Sequence, residues 1–117
     1  MAQRRPPDIP KAPKHLSTAA GRWWDAVVRE YVLEEHHVRL LTLAAEAWDR
    51  CCEAREAIAK HGIVFEDRFG QPRTRPEVAV ERDNRLAFAR LLRELSLDTA
   101  PEESRPPALP RSGRRNR

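Results

Sequence analysis

The sequence predicts a mainly α-helical domain, three helices with a short β-hairpin between the second and third, and three observations carry that reading. Residues 38–61, VRLLTLAAEAWDRCCEAREAIAKH, run without Pro or Gly in residues that favour helix, and Gly62 closes them. Residues 63–74, IVFEDRFGQPRT, switch to β-branched and aromatic side chains around Phe69-Gly70. Proline gathers at the ends: eight of ten lie before residue 16 or after residue 97. Such ends bury too little apolar surface to offset the entropy of ordering them. Residues 1–15 and 98–117 are therefore expected as disordered basic tails around a domain of residues 16–97.

Taken in order, His15-Leu16-Ser17 prepares the first helix, with Ser17 as N-cap and Leu16 as the staple behind it. That helix should run from Thr18 to Tyr31 or Val32. Ala20, Trp24, Val27 and Tyr31 fall on one face, with Trp23 and Val28 beside it. Two adjacent Trp side chains cannot point at one spot, so one belongs to the core and the other to its edge or to a neighbour.

The long helix should begin near Glu35 or His36, where acidic residues suit its positive end. Leu40, Ala44, Ala47, Cys51, Ala54 and Ile58 recur in alternating steps of four and three, which keeps one face toward one partner. A second row, Leu41, Ala45, Trp48, Cys52 and Ala59, widens the stripe, while Glu46, Asp49, Arg50, Glu53 and Lys60 mark the wetter side. The seam is rich in Ala and Cys, so another helix can approach closely. That helix belongs either to the same chain or to a second copy.

Hairpin strands are expected at Ile63–Glu66 and Gln71–Thr74, and a two-stranded hairpin is marginal unless it packs on something. Thr74-Arg75-Pro76-Glu77 opens a third helix with Pro in its first turn. This helix should reach Leu95, with Phe88, Leu91, Leu92 and Leu95 on one face next to Leu86 and Ala89. About 80 residues leave a large share of the unfolded surface uncovered, so self-association is expected to help.

Charge is uneven. Residues 1–15 carry Arg4, Arg5, Lys11 and Lys14 against Asp8, a net +3. Residues 98–117 carry five Arg against three acids, a net +2, which leaves the middle at −1 of the total +4. Basic ends on a near-neutral body point to a polyanion, most simply nucleic acid. The candidate phosphate-binding residues are Arg4, Arg5, Lys11, Lys14, Arg111, Arg114, Arg115 and Arg117. Candidate subunit-contact residues are Trp23, Trp24, Leu40, Ala44, Ala47, Cys51, Ala54, Phe88 and Leu92.

Catalysis finds no footing. The four glycines, Gly21, Gly62, Gly70 and Gly113, are scattered and form no phosphate loop. Ser17 and Ser96 read as helix-end residues rather than nucleophiles. His36 and His37 are separated from His61 by a helix, and Cys51-Cys52 has no CxxC partner, so neither a metal nor another cofactor is expected. The two thiols also point about 100° apart on a helix, which disfavours a disulfide between them. There is no apolar run long enough to span a membrane and no signal peptide, so a cytoplasmic protein is expected.

The runs PKHLSTAAGRWWDAVVREYVL, LLTLAAEAWDRCCEAREAIAKHGIV and DRFGQPRTRPEVAVERDNRLAFARLLRELSLD, in this order, resemble the small terminase subunit of tailed bacteriophages. The shared features are a Leu-Ser start, a Trp in helix one and a Gly ending helix two. A Gly-containing hairpin, a Pro opening helix three and a closing Leu-Arg-Glu-Leu segment follow. The likeness covers Pro13 to Asp98 and departs at Arg75, where His is frequent, and at Ser96, where Gly is usual. It implies a DNA-packaging protein with no catalytic group of its own. Its partners would be viral double-stranded DNA and the large subunit that holds the ATPase and nuclease, and its copies would assemble into an oligomeric ring. Helices one and two would form the ring wall, the hairpin and helix three would complete subunit contacts, and the arms would hold DNA and the large subunit. The alternative reading is a small helical DNA-binding regulator acting as a dimer, which would protect discrete half-sites. An interaction module with no nucleic-acid role is a third.

Overall fold

Ser17 starts the first helix as its chemistry allows: its backbone is extended and its Oγ accepts from the Ala20 N–H at 3.1 Å. In a computed structural model of the chain, residues 9–97 are described. Helix α1 spans Thr18–Glu30, α2 Glu35–His61, β1 Val64–Glu66, β2 Pro72–Thr74 and α3 Pro76–Glu94. The expected three helices and hairpin are thus the architecture found.

Both α1 and α3 run antiparallel to α2. Ser17 meets Asp49 while Trp24 meets Thr42, and Cys51 meets Glu81 while Trp48 meets Phe88. The core forms where all three converge, around Ala20, Trp24, Val27, Val28, Leu41, Ala45 and Leu95. Since α1 ends its contact near Asp49, the rest of α2 packs on α3 among the described residues.

The small-residue seam is occupied from within the chain. Ala44, Ala47, Cys51 and Ala54 are all buried, and the Cys51 Sγ lies 3.8 Å from the Glu81 carbonyl oxygen. Short side chains let the α3 backbone come this near. Glu81 then gathers the facing cations: Arg85 and Arg55 each donate through Nε to its Oε2 at 3.2 Å. The hydrogen bond from Arg85, followed by that from Arg55, holds the Glu81 carboxyl below its usual range. A carboxyl held low adds stability above its ordinary value of 4.5 and loses it as pH falls through the folded value. Acid titration should therefore destabilise the parent below that value, and Glu81→Gln should flatten the dependence, as read by thermal melts across pH.

Helix α3 ends in a Schellman motif. The Leu97 N–H donates to the Leu92 carbonyl and the Ser96 N–H to that of Arg93, each at 2.9 Å. The motif puts Ser96 at φ 61°, a left-handed conformation that a Cβ disfavours. Ser96→Gly should raise stability by about 0.5–1 kcal/mol, a rise in Tm of a few degrees. An unchanged or lower Tm would count against strain at this turn.

Three local expectations are corrected. Tyr31 lies past the end of α1 and is exposed, because the chain turns extended there. Ile9 and Ala12 pack against the core, so the chain is tied down earlier than its proline content implies. Asp49, assigned to the wet side, is buried at 6% exposure, since α1 covers that face.

Candidate interaction surfaces

Asp49 sets the position of α1. Its carboxylate accepts from the Ser17 backbone N–H at 2.8 Å and from the Ser17 hydroxyl at 2.5 Å. Beside it, His15 Nε2 reaches Glu46 at 2.7 Å. With the N-terminus of α1 held there, Trp24 turns inward and its indole N–H donates to Thr42 Oγ1 at 3.1 Å. Trp23, one residue earlier, points along the edge.

At that edge Trp23 and Trp48 flank Phe88, with ring centroids 5.7 and 5.4 Å away. Together with Ala19 and Ala20 they line an apolar groove of about 190 Å³. A neighbouring hollow of about 260 Å³ shares Trp23 and Phe88 and extends past Val27, Glu30, Tyr31, Leu92 and Leu97. The outer face of α3 carries a third depression beside Asp83, Leu86, Ala87, Arg90 and Leu91. Leu86 is exposed there, as are Leu43 on α2 and Val80 on α3.

The hairpin stands clear of the helices. Val64, Phe65 and Glu66 pair with Thr74, Arg73 and Pro72, and every residue of both strands is exposed. Asp67 builds the tip: its Oδ1 accepts from the Phe69 and Gln71 N–H groups at 2.9 and 3.0 Å, and its Oδ2 from Arg73 Nε at 2.9 Å. The Gln71 amide first, then Arg73, holds the Asp67 carboxyl below its usual range. Gly70, at φ 76°, completes the turn.

The candidate subunit-contact residues divide in two. Trp24, Ala44, Ala47, Cys51 and Ala54 are covered by the chain itself, whereas Trp23, Leu40, Phe88 and Leu92 are half-buried at its edge. Trp48 joins this edge, while Phe65 and Phe69 form a separate exposed apolar patch on the hairpin; their apolar character was legible, but which face they occupy required the packing. Of the phosphate-binding candidates, Lys11 and Lys14 are exposed. Arg4, Arg5, Arg111, Arg114, Arg115 and Arg117 lie outside the described residues.

Among the described residues, no three His, Cys, Asp or Glu side chains come together as a metal site. Burial pushes the Cys51 thiol above its usual range, which suits a packing residue. No helix among the described residues is long and apolar enough to cross a membrane.

A family model described as phage terminase, small subunit, matches residues 20–105, most of the chain. The chain belongs to the phage terminase small-subunit family. No curated protein and no solved structure matches it. Membership gives the chain a role in phage packaging, in a family that is generally non-catalytic, and implies partnership with viral DNA and the large terminase subunit.

Proposed function

We propose that this small subunit is the DNA-recognising adaptor of a packaging motor, binding viral DNA at the packaging site and presenting it to the large subunit in the host cytoplasm. The family match is the observation that carries this reading. Two further features support it. Apolar side chains stay exposed on α2, α3 and the hairpin, which favours assembly of identical copies into a ring. Positive charge concentrates toward both ends of the chain, where it attracts phosphate.

In this reading the edge formed by Trp23, Leu40, Phe88 and Leu92 supplies contacts between copies. The arms hold DNA through Arg4, Arg5, Lys11, Lys14, Arg111, Arg114, Arg115 and Arg117. Each phosphate neutralised releases counterions, so affinity falls steeply with salt. Replacing these eight residues by Gln should weaken binding to packaging-site DNA at least tenfold at low salt and flatten the salt dependence. The mass of the assembly should stay the same. Unchanged affinity in an electrophoretic or anisotropy titration would remove the arms from the role.

A further inference from the structure

Phe69 at the tip of the hairpin is 76% exposed, and the guanidinium of Arg68 lies over its ring, 5.4 Å from the ring centroid. On the helical body of the same chain, the groove of Trp23, Trp48 and Phe88 stands open. We propose that Phe69 of one copy seats in the Trp23–Trp48–Phe88 groove of the next, so that the hairpin links subunits head to tail. This rests on the assembly put forward above and names its contact surfaces.

Size, rigidity and charge favour a second copy as the occupant. A cavity of about 150 Å³ is enough to hold a benzene ring, and the groove offers about 190 Å³. Asp67 holds the tip through two backbone amides and Arg73, so little freedom is lost when Phe69 docks. The adjoining hollow carries Glu30, and neither Glu30 nor Arg68 has an ion pair among the described residues. Seating Phe69 brings Arg68 toward that carboxylate, an opposite charge at the rim of an apolar contact. With Ile63, Val64 and Phe65 following the tip, the two faces would bury on the order of 600 Å² of apolar surface, adequate for the centre of a standard interface.

Phe69 stays outside its own chain's groove: it is 76% exposed and is not among the residues that line the groove. The hairpin leaves α2 after His61, and Trp48 lies about 20 Å back along that helix at ~1.5 Å per residue. Knob and groove are therefore different patches of one chain, and the contact is heterologous. Contacts of that kind propagate, and close into a ring when the rotation between copies allows. A nucleic acid would match this site poorly, because its phosphates and polar base edges do not replace the apolar cover that the groove lacks.

The test uses the full chain. Phe69→Ala should raise the concentration needed for assembly at least tenfold in sedimentation, with helix content and Tm unchanged because Phe69 is 76% exposed within the subunit. Arg68→Glu should weaken assembly, and Glu30→Arg in the same chain should restore it. In a Cys52→Ala background, chains carrying Phe69→Cys mixed with chains carrying Ala19→Cys should form a disulfide-linked dimer on mild oxidation, whereas Phe69→Cys chains mixed with the background chain should not. An assembled parent whose mass and crosslinking ignore these changes overturns the contact alone. A monomeric parent overturns the assembly and the contact together. A thiol at position 19 that loses reactivity only when the large subunit is added assigns the groove to that partner, and the proposal fails.

Discussion

Trp24→Ala should lower stability by about 3–5 kcal/mol, a large part of the roughly 5–15 kcal/mol that holds a small domain together. At about 4–8 °C per kcal/mol for a domain of this length, Tm should fall by more than ~12 °C, or cooperative unfolding should be lost. Trp24 is 1% exposed and sits among Ala20, Val27, Val28, Leu41, Ala45 and Leu95, where α1, α2 and the end of α3 converge. Removing the indole opens a cavity at this junction and takes the donor from Thr42 Oγ1. Trp23→Ala, one residue away, should cost the subunit far less, because Trp23 is half-buried at the groove beside Phe88. Its larger effect should be on assembly. Circular-dichroism melts of the two variants give the comparison, and equal losses of Tm would contradict the inward and outward assignment.

That pair shows where sequence reasoning reaches and where it stops. Adjacency on a helix says that Trp23 and Trp24 diverge, and the helical spacing of Ala20, Trp24 and Val27 already marks one face. The hairpin was legible because Gly70 and Pro72 punctuate a β-branched run, and α3 because Pro76 opens it. The seam from Ala44 to Ala54 was legible as a site of close helix approach. Its partner was not, since an Ala-rich stripe accepts a helix of its own chain or of another equally well. Here α3 takes it, and the free apolar surface moves to the groove and the hairpin tip. Asp49 was misplaced for a related reason. Its side chain follows Leu41 and Ala45 at spacings of eight and four, which is the α1 side of α2, but an acid there reads as solvated until its partner is known. Ser17 supplies that partner from 32 residues away, beyond any local pattern.

Asp49→Ala should cost about 2–4 kcal/mol, since it deletes two hydrogen bonds to a charged acceptor and leaves the Ser17 N–H and hydroxyl without it. Ser17→Ala should cost about 1–2 kcal/mol, because Ser17 also caps α1 at Ala20. Asp49→Asn, which keeps the shape and one carbonyl acceptor, should fall between the parent and Asp49→Ala. The informative quantity is the coupling in the cycle of Ser17→Ala and Asp49→Ala, expected at about 1–2 kcal/mol because the two side chains touch. Urea unfolding of the four proteins measures it. A coupling near zero would mean that Asp49 is buried for another reason, and that hydrophobic packing alone sets the register of α1 on α2. A coupling of the expected size has a consequence beyond stability. The same bond holds Trp23 against Phe88, so an α1 released from Asp49 loses the shape of the groove, and Asp49→Ala should weaken assembly even at temperatures where the subunit remains folded.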